Sequence, residues 1–100
     1  MQQIDAQSFD SKLKGNEPLI LLDVREEIEY HTYNIGGKNI PLSQLTEKLA
    51  LVSPNKSDEI IVICKAGLRS QTAQAILLQN GFTNVKNLTG GLLAMQRLQA

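Results

Sequence analysis

The sequence predicts an α/β fold built as one domain. Two apolar runs without alternation, LILLD at residues 19–23 and IIVIC at residues 60–64, are typical of strands covered on both faces in a parallel sheet. Segments with helical patterns separate these runs and three shorter candidate strands. Such alternation indicates parallel strands joined by right-handed crossovers. A chain of 100 residues has room for one core, so residues 1–100 are expected to form a single domain.

The first half of the chain contains two predicted strands and two predicted helices. A brief strand at residues 2–4 precedes a helix at residues 5–14, for which Asp5 is the expected N-cap. The central strand at residues 19–23 follows, and a short helix at residues 26–30 comes after it.

The second half repeats this alternation. A brief strand at residues 38–40 and a helix at residues 43–51 precede the central strand at residues 60–64. A further strand is predicted at residues 85–88, followed by a final helix at residues 92–99. The glycines between these segments are interpreted as turns inside one domain.

The helix predicted at residues 70–80 has the clearest pattern. Gly81 stands where a left-handed residue ends a helix. One face carries an apolar stripe with a polar end, formed by Ala73, Ile76, Leu77, Leu78 and Asn80.

Composition limits the possible classes of function. Ten basic and ten acidic residues cancel, so no overall field attracts nucleic acid or an anionic membrane. The amino-terminal segment lacks the features of a signal peptide, and the longest aliphatic runs are far shorter than a membrane span. A single cysteine cannot form an internal disulfide, which favours a reducing compartment. We therefore expect a cytoplasmic protein without nucleic-acid or membrane partners.

Cys64 is the strongest candidate for chemistry. It ends a central strand, and a loop and then a helix near Arg69 or Ser70 follow it, so it should lie at the carboxyl edge of the sheet. Backbone N–H groups at a helix start stabilise a thiolate. Gly67 allows the loop to curl, and Lys65 and Arg69 add positive charge. The alternative is that Cys64 is an inert core residue. An inert cysteine would not need the glycine, the cations and the helix start around it, so we interpret Cys64 as reactive.

Other polar residues are interpreted as structural or solvated. Asp23 and Arg25 end the first central strand and could shape the floor of a pocket or pair with each other; a structural role is favoured. His31 lies on a short polar helix, and nothing in the sequence places it near the cysteine, so we predict a surface histidine.

The acidic segment and the glycine pair are interpreted in the same way. Glu26, Glu27 and Glu29 resemble a metal cluster only in composition, because helical spacing distributes them over different faces. We predict a solvated face. Gly90 and Gly91 are predicted to begin a helix.

Three segments of the chain resemble the rhodanese family. LLDVREEIEYHTYNIGGKNIP is similar to the family's DVR-x3-E-[YF] motif and the loop that follows it. CKAGLRS is similar to the active loop C-x-x-G-x-R-S, and GFTNVKNLTGGLLAM is similar to the closing segment GF-x-x-V-x-x-L-x-G-G. The segments occur in the family's order, with family-like spacing, over nearly the whole chain.

The resemblance implies a three-layer fold, with a five-stranded, mainly parallel sheet flanked by helices on both faces. It also implies a sulfurtransferase in which Cys64 cycles between thiolate and persulfide and Arg69 assists anion binding. By the same resemblance, the loop whose amides are expected to hold the persulfide sulfur consists of Lys65, Ala66, Gly67, Leu68, Arg69 and Ser70. The implied partners are a small anionic sulfur donor such as thiosulfate, or a protein persulfide, and a thiol or sulfur-carrier protein as acceptor. Neither a metal nor an organic cofactor is implied.

Two features depart from the family pattern. Residues 33–41, YNIGGKNIP, are one residue shorter than the common GHIPGAxNIP stretch and lack its His. This variant is similar to rhodanese domains appended to ubiquitin-activating-like adenylyltransferases. Met95 stands where Trp is frequent, which alters packing or the rim of the site.

Two other functions stay open at this point. Cysteine-dependent phosphatases and arsenate reductases resemble C-x5-R, whereas Arg69 is five residues after Cys64, which makes the loop too tight for a tetrahedral phosphate. A non-catalytic rhodanese-like interaction module is the second alternative, and the presence of Cys64, Gly67 and Arg69 argues against it. With no second cysteine, an external acceptor has to remove the transferred sulfur.

Overall fold

A computed structural model of the chain describes residues 2–99, which contain a five-stranded sheet with parallel pairing throughout. The strand order is β1-β5-β4-β2-β3, so β4 lies at the centre. The strands are β1 (Gln3–Ile4), β2 (Ile20–Asp23), β3 (Lys38–Asn39), β4 (Ile60–Ile63) and β5 (Val85–Leu88), and the helices are α1 (Ala6–Lys14), α2 (Glu27–Thr32), α3 (Leu68–Gln79) and α4 (Gly91–Gln99). The predicted α/β fold with a parallel sheet is confirmed.

The sheet separates two apolar cores, which explains the run of aliphatic residues in β4. All four residues of this strand are fully buried, and they alternate between the two sides. Ile60 and Val62 pack with buried residues of α3, and Ile61 and Ile63 pack with buried residues of α1 and α4. The helices therefore cover both faces, which gives three layers.

The first helix starts as predicted. The α-helix predicted at residues 43–51 does not form. The Asp5 carboxylate accepts the Ser8 N–H over 2.7 Å and caps α1. Two short 3-10 segments, Leu42–Gln44 and Thr46–Leu51, occupy the region of the expected α-helix. A non-helical Lys48 interrupts the second segment.

Fixed ends account for these tighter turns. The Leu42 N–H donates to the carbonyl of Val24 over 3.0 Å, next to the end of β2. At the other end, the Lys38 side chain donates from Nζ to the carbonyls of Leu51 and Val52 over 3.0 and 3.2 Å. We attribute the 3-10 geometry to this attachment at both ends, because it sets the distance that the segment has to cover.

The helix that follows β4 begins at Leu68, earlier than predicted, because Gly67 adopts a left-handed conformation (φ 97°) and turns the chain into it. Gly81 has φ 92° and follows the end of α3, as predicted. α3 has 12 residues, and none of the helices between residues 2 and 99 has the length and apolar character needed to cross a bilayer.

Candidate active site

Hydrogen-bonding groups converge on the sulfur of Cys64, which directly follows β4. The Gly67 N–H donates to Sγ over 3.1 Å, and the Ser70 N–H donates to it over 3.3 Å. The Ser70 hydroxyl oxygen lies 3.2 Å from the same sulfur. The cysteine side chain is 1% exposed, so the loop and the side chains at its mouth control which molecules reach the sulfur.

These contacts lower the pKa of the Cys64 thiol. Burial acts in the opposite direction and raises the pKa. Hydrogen bonds from the Ser70 hydroxyl and from the N–H groups of Ser70, Gly67 and Ala66 outweigh burial, and the pKa lies below the ordinary value of 9.0. A larger fraction of thiolate is therefore present near neutral pH, and the thiolate is the nucleophilic form of cysteine.

N–H groups at the start of α4 bind carbonyl groups of Cys64 and of the loop that follows it. The Leu92 N–H donates to the Cys64 carbonyl over 2.9 Å, and the Leu93 N–H donates to the Lys65 carbonyl over 3.1 Å. A Cβ atom at Gly91 would lie only 2.4 Å from the Cys64 carbonyl oxygen. The Gly90-Gly91 pair thus begins a helix, as predicted, and the absence of a side chain lets that helix approach the loop.

Asn87 is a polar residue of the site that sequence reasoning missed. It lies in β5, is 4% exposed and accepts a hydrogen bond from the Ser70 hydroxyl over 2.5 Å. Its Nδ2 donates to the carbonyl of Gly67 over 3.2 Å and to the side chain of Gln3 over 3.2 Å. The signal was an Asn in a strand that is otherwise mostly apolar, where burial requires hydrogen-bond partners. Asn87 thus ties the serine and the loop to the sheet.

Asp23 and Arg25 form a buried ion pair. Asp23 is fully buried and Arg25 is 5% exposed. Nε of the arginine donates to Oδ1 over 3.0 Å and Nη2 donates to Oδ2 over 2.8 Å. Nη2 also donates to the Tyr33 carbonyl over 2.7 Å. The two residues therefore pair with each other, which is one of the two roles considered from the sequence, and the arginine also lines a cleft beside the loop.

Glu29 corrects the prediction of a uniformly solvated acidic face. Its carboxylate accepts two hydrogen bonds from the Arg69 guanidinium, over 2.6 and 3.0 Å, and one from the Glu26 N–H over 2.9 Å. The Arg69 hydrogen bond is the main cause that lowers the pKa of Glu29 to about 2. Glu26 and Glu27 are exposed, as predicted. The partner of Glu29 lies 40 residues away, which is why helical spacing alone did not find it.

The remaining predicted residues lie around the mouth of the loop or away from it. Lys65 and Ala66 are exposed, and Leu68 is 74% exposed. His31 is exposed and packs edge-on against Tyr30, with ring centroids 5.8 Å apart.

A cleft of about 360 Å³ adjoins the loop. Its lining includes Arg25, Ile28, Glu29, Lys65, Leu92 and Gln96. Met95 is 2% exposed and belongs to the core below α4, so the residue that departs from the family pattern affects packing.

Comparisons with known proteins identify related sequences. The family model Rhodanese-like domain matches residues 5–98. The thiosulfate sulfurtransferase PspE of Escherichia coli is 38% identical over 81 residues, which cover 78% of this chain and 77% of that protein. The adenylyltransferase and sulfurtransferase MOCS3-1 of Zea mays is 35% identical over 101 residues and 95% of this chain. The chain spans only 22% of the length of this maize protein.

Solved structures agree in the same way. The crystal structure of a rhodanese-like domain protein from Staphylococcus aureus matches with a TM-score of 0.86 and 28% sequence identity. The match covers 95% of this chain and 91% of that one. The similarity to rhodanese domains of adenylyltransferases, expected from the short loop at residues 33–41, is confirmed by the maize protein.

Proposed function

The chain belongs to the rhodanese-like domain family, and from this premise we propose that it is a sulfurtransferase in which Cys64 carries sulfur as a persulfide. The observation that carries the proposal is the convergence of the Gly67 and Ser70 N–H groups on a single buried sulfur, with the Ser70 hydroxyl oxygen 3.2 Å from it. Donors in this arrangement stabilise negative charge on that sulfur or on a sulfur bonded to it. The name of the Escherichia coli relative, a thiosulfate sulfurtransferase, supports the same activity.

In the first half-reaction the Cys64 thiolate attacks the outer sulfur of an anionic donor. With thiosulfate, a bond forms between Sγ and that outer sulfur, and the bond between the two donor sulfurs breaks. Sulfite leaves with the electron pair of the broken bond, and the cysteine becomes a persulfide anion. A protein persulfide would deliver its outer sulfur in the same way and leave as a thiol or thiolate.

In the second half-reaction an external nucleophile attacks the outer sulfur of the persulfide. Cyanide would leave as thiocyanate, and a thiolate acceptor would become a persulfide; both regenerate the Cys64 thiolate. The sequence has only one cysteine, so no internal thiol can take the sulfur. We therefore propose a small thiol or a sulfur-carrier protein as acceptor.

Two cationic side chains near the mouth of the loop, those of Arg69 and Lys65, are proposed to bind the donor. Arg69 directly precedes Ser70, whose N–H contacts the sulfur, and the negative charge of Cys64 contributes to the raised pKa of Arg69. Lys65 is exposed beside the same loop. We assign both to attraction of the anionic donor, with the loop from Ala66 to Ser70 enclosing the transferred sulfur.

Phosphatase chemistry is less consistent with this geometry. Arg69 follows Cys64 by five residues, and its guanidinium is held by Glu29. We therefore expect no phosphatase activity.

Intact-mass spectrometry of the reduced protein after incubation with thiosulfate tests the proposal. The wild type should gain the mass of one sulfur and lose it when cyanide is added. Cys64→Ser should gain none, and a phosphatase assay of the wild type should be blank. No adduct with thiosulfate or with a persulfide donor would contradict the proposed activity and would favour a non-catalytic module.

A further inference from the structure

We propose that Glu29 sets the charge preference of the site, because its carboxylate competes with anionic donors for the Arg69 guanidinium. The donor class that results is an alkyl persulfide, because a persulfide group carries at most one negative charge, whereas thiosulfate is a dianion. This choice of donor rests on the proposed sulfur transfer. The competition itself rests only on the ion pair.

The ion pair occupies the face of Arg69 that a small anion would use. Both guanidinium nitrogens Nη1 and Nη2 donate to the two carboxylate oxygens of Glu29. Such a two-point contact is also the geometry by which arginine binds sulfur and phosphorus oxyanions. A dianionic donor must therefore displace Glu29 or accept a weaker contact with Arg69.

Glu29 is held in position independently of Arg69. It is the third residue of a capping box at the start of α2, where its Oε1 accepts the Glu26 N–H over 2.9 Å. Its pKa of about 2 keeps the carboxylate charged at every pH near neutrality. The opposing charge is thus a permanent part of the mouth.

The remaining charges leave the mouth close to neutral. Lys65 and Glu29 line the same cleft, and the exposed Glu26 also raises the pKa of Arg69. The side chains of Arg69 and Glu29 are 38% and 31% exposed, so solvent screens the pair and an anion can separate it. We therefore expect that removing the Glu29 charge changes the preference for anionic over neutral reagents by about two- to fivefold.

Glu29→Gln removes the charge and keeps an oxygen that can accept hydrogen bonds from Glu26 and Arg69. The probes are iodoacetate and iodoacetamide, which both alkylate the Cys64 thiolate with loss of iodide but differ in charge. The ratio of the two rate constants cancels any change in the thiolate fraction. We expect this ratio, anionic over neutral, to rise about two- to fivefold in Glu29→Gln.

Glu27→Gln is the matched control, because it removes the same charge from an exposed position of the same helix. It should leave the ratio nearly unchanged. Arg69→Gln should lower the ratio, and adding Glu29→Gln to it should not raise the ratio above that of Glu29→Gln alone. An unchanged ratio in Glu29→Gln, or an equal rise in Glu27→Gln, would overturn the proposal.

Donor kinetics extend the test to sulfur transfer. In Glu29→Gln the thiosulfate concentration for half-maximal rate should fall about two- to fivefold, with a smaller change in maximal rate and in the use of an alkyl persulfide. A shifted alkylation ratio without any transfer from thiosulfate or persulfide would retain the electrostatic competition and reject the proposed activity. Equal gains with both donors would reject the assignment of donor class.

Discussion

β2 and β4 are neighbouring parallel strands that end side by side, and their ends are stabilised in opposite ways. Asp23, the last residue of β2, pairs in register with Ile63 of β4. At the end of β2, the Asp23 carboxylate forms a buried ion pair with Arg25. β4 instead continues into Cys64. The Cys64 carbonyl accepts a hydrogen bond from the Leu92 N–H, and its sulfur accepts hydrogen bonds from two backbone N–H groups.

The difference separates a structural use of buried polarity from a chemical one. At the end of β2 the two charges satisfy each other, so no ligand is required. At the end of β4 the N–H donors point at an atom that is charged only when the thiol loses its proton. Donors directed at such an atom stabilise the thiolate or an anion that replaces it, and this is where chemistry is expected.

The largest expected effect is on the end of β2. Asp23→Ala leaves Arg25 buried without its partner and should lower the free energy of unfolding by about 3–5 kcal/mol in urea denaturation. Glu17→Ala is the control, because it removes a carboxylate that pairs with Lys12 over 3.1 Å at an exposed site. That variant should cost about 0–1 kcal/mol. Equal losses would show that burial does not distinguish the two pairs.

The next effect is on the backbone that holds the end of β4. Gly91→Ala places a Cβ atom against the Cys64 carbonyl at φ 61°, so we expect a loss of about 2–4 kcal/mol from strain and overlap. Gly36→Ala has a similarly unfavourable φ of 96° but no atom within 4 Å of the new carbon. It should cost only about 1–2 kcal/mol. Thermal or urea denaturation measures both, and a Gly91 variant as stable as the Gly36 variant would contradict the close approach.

A smaller effect concerns the sulfur itself. Ser70→Ala removes a hydroxyl whose proton can turn from Asn87 to the thiolate, so the pKa of Cys64 should rise. The pH dependence of the iodoacetamide rate measures this pKa. Gln71→Ala, on the exposed part of the same helix, should not change it. An unchanged pKa in Ser70→Ala would mean that the hydroxyl proton stays with Asn87 in the thiolate form.

The smallest effect is the pH dependence from Glu29. Its pKa is about 2 in the folded protein and is expected near 4.5 in the unfolded chain, so the stabilisation is present above pH 4.5 and is lost as the pH falls towards 2. The difference in unfolding free energy between the wild type and Glu29→Gln should therefore shrink between about pH 5 and pH 2. A constant difference for Glu29→Gln would contradict the low pKa.

Local patterns allowed much of the fold to be predicted from the sequence. The apolar run of β4 indicated a strand buried on both sides, and Asp5 and Gly81 marked helix ends. The α-helix predicted at residues 43–51 was wrong. The apolar residues of this segment can also be buried by 3-10 turns, and hydrogen bonds to residues in or next to β2 and β3 fix both ends of the segment. Spacing alone does not report such attachments.

The sequence by itself determined where the chemistry is expected. A buried strand, a Gly-containing loop and a helix follow one another within a few residues, and this local order places Cys64 directly after β4 and close to the start of α3. The groups that surround the sulfur, in contrast, depend on the three-dimensional fold. Asn87 reaches Ser70 from 17 residues away and Glu29 reaches Arg69 from 40 residues away. Strand order and helix packing bring these partners together, and no local spacing rule contains that information.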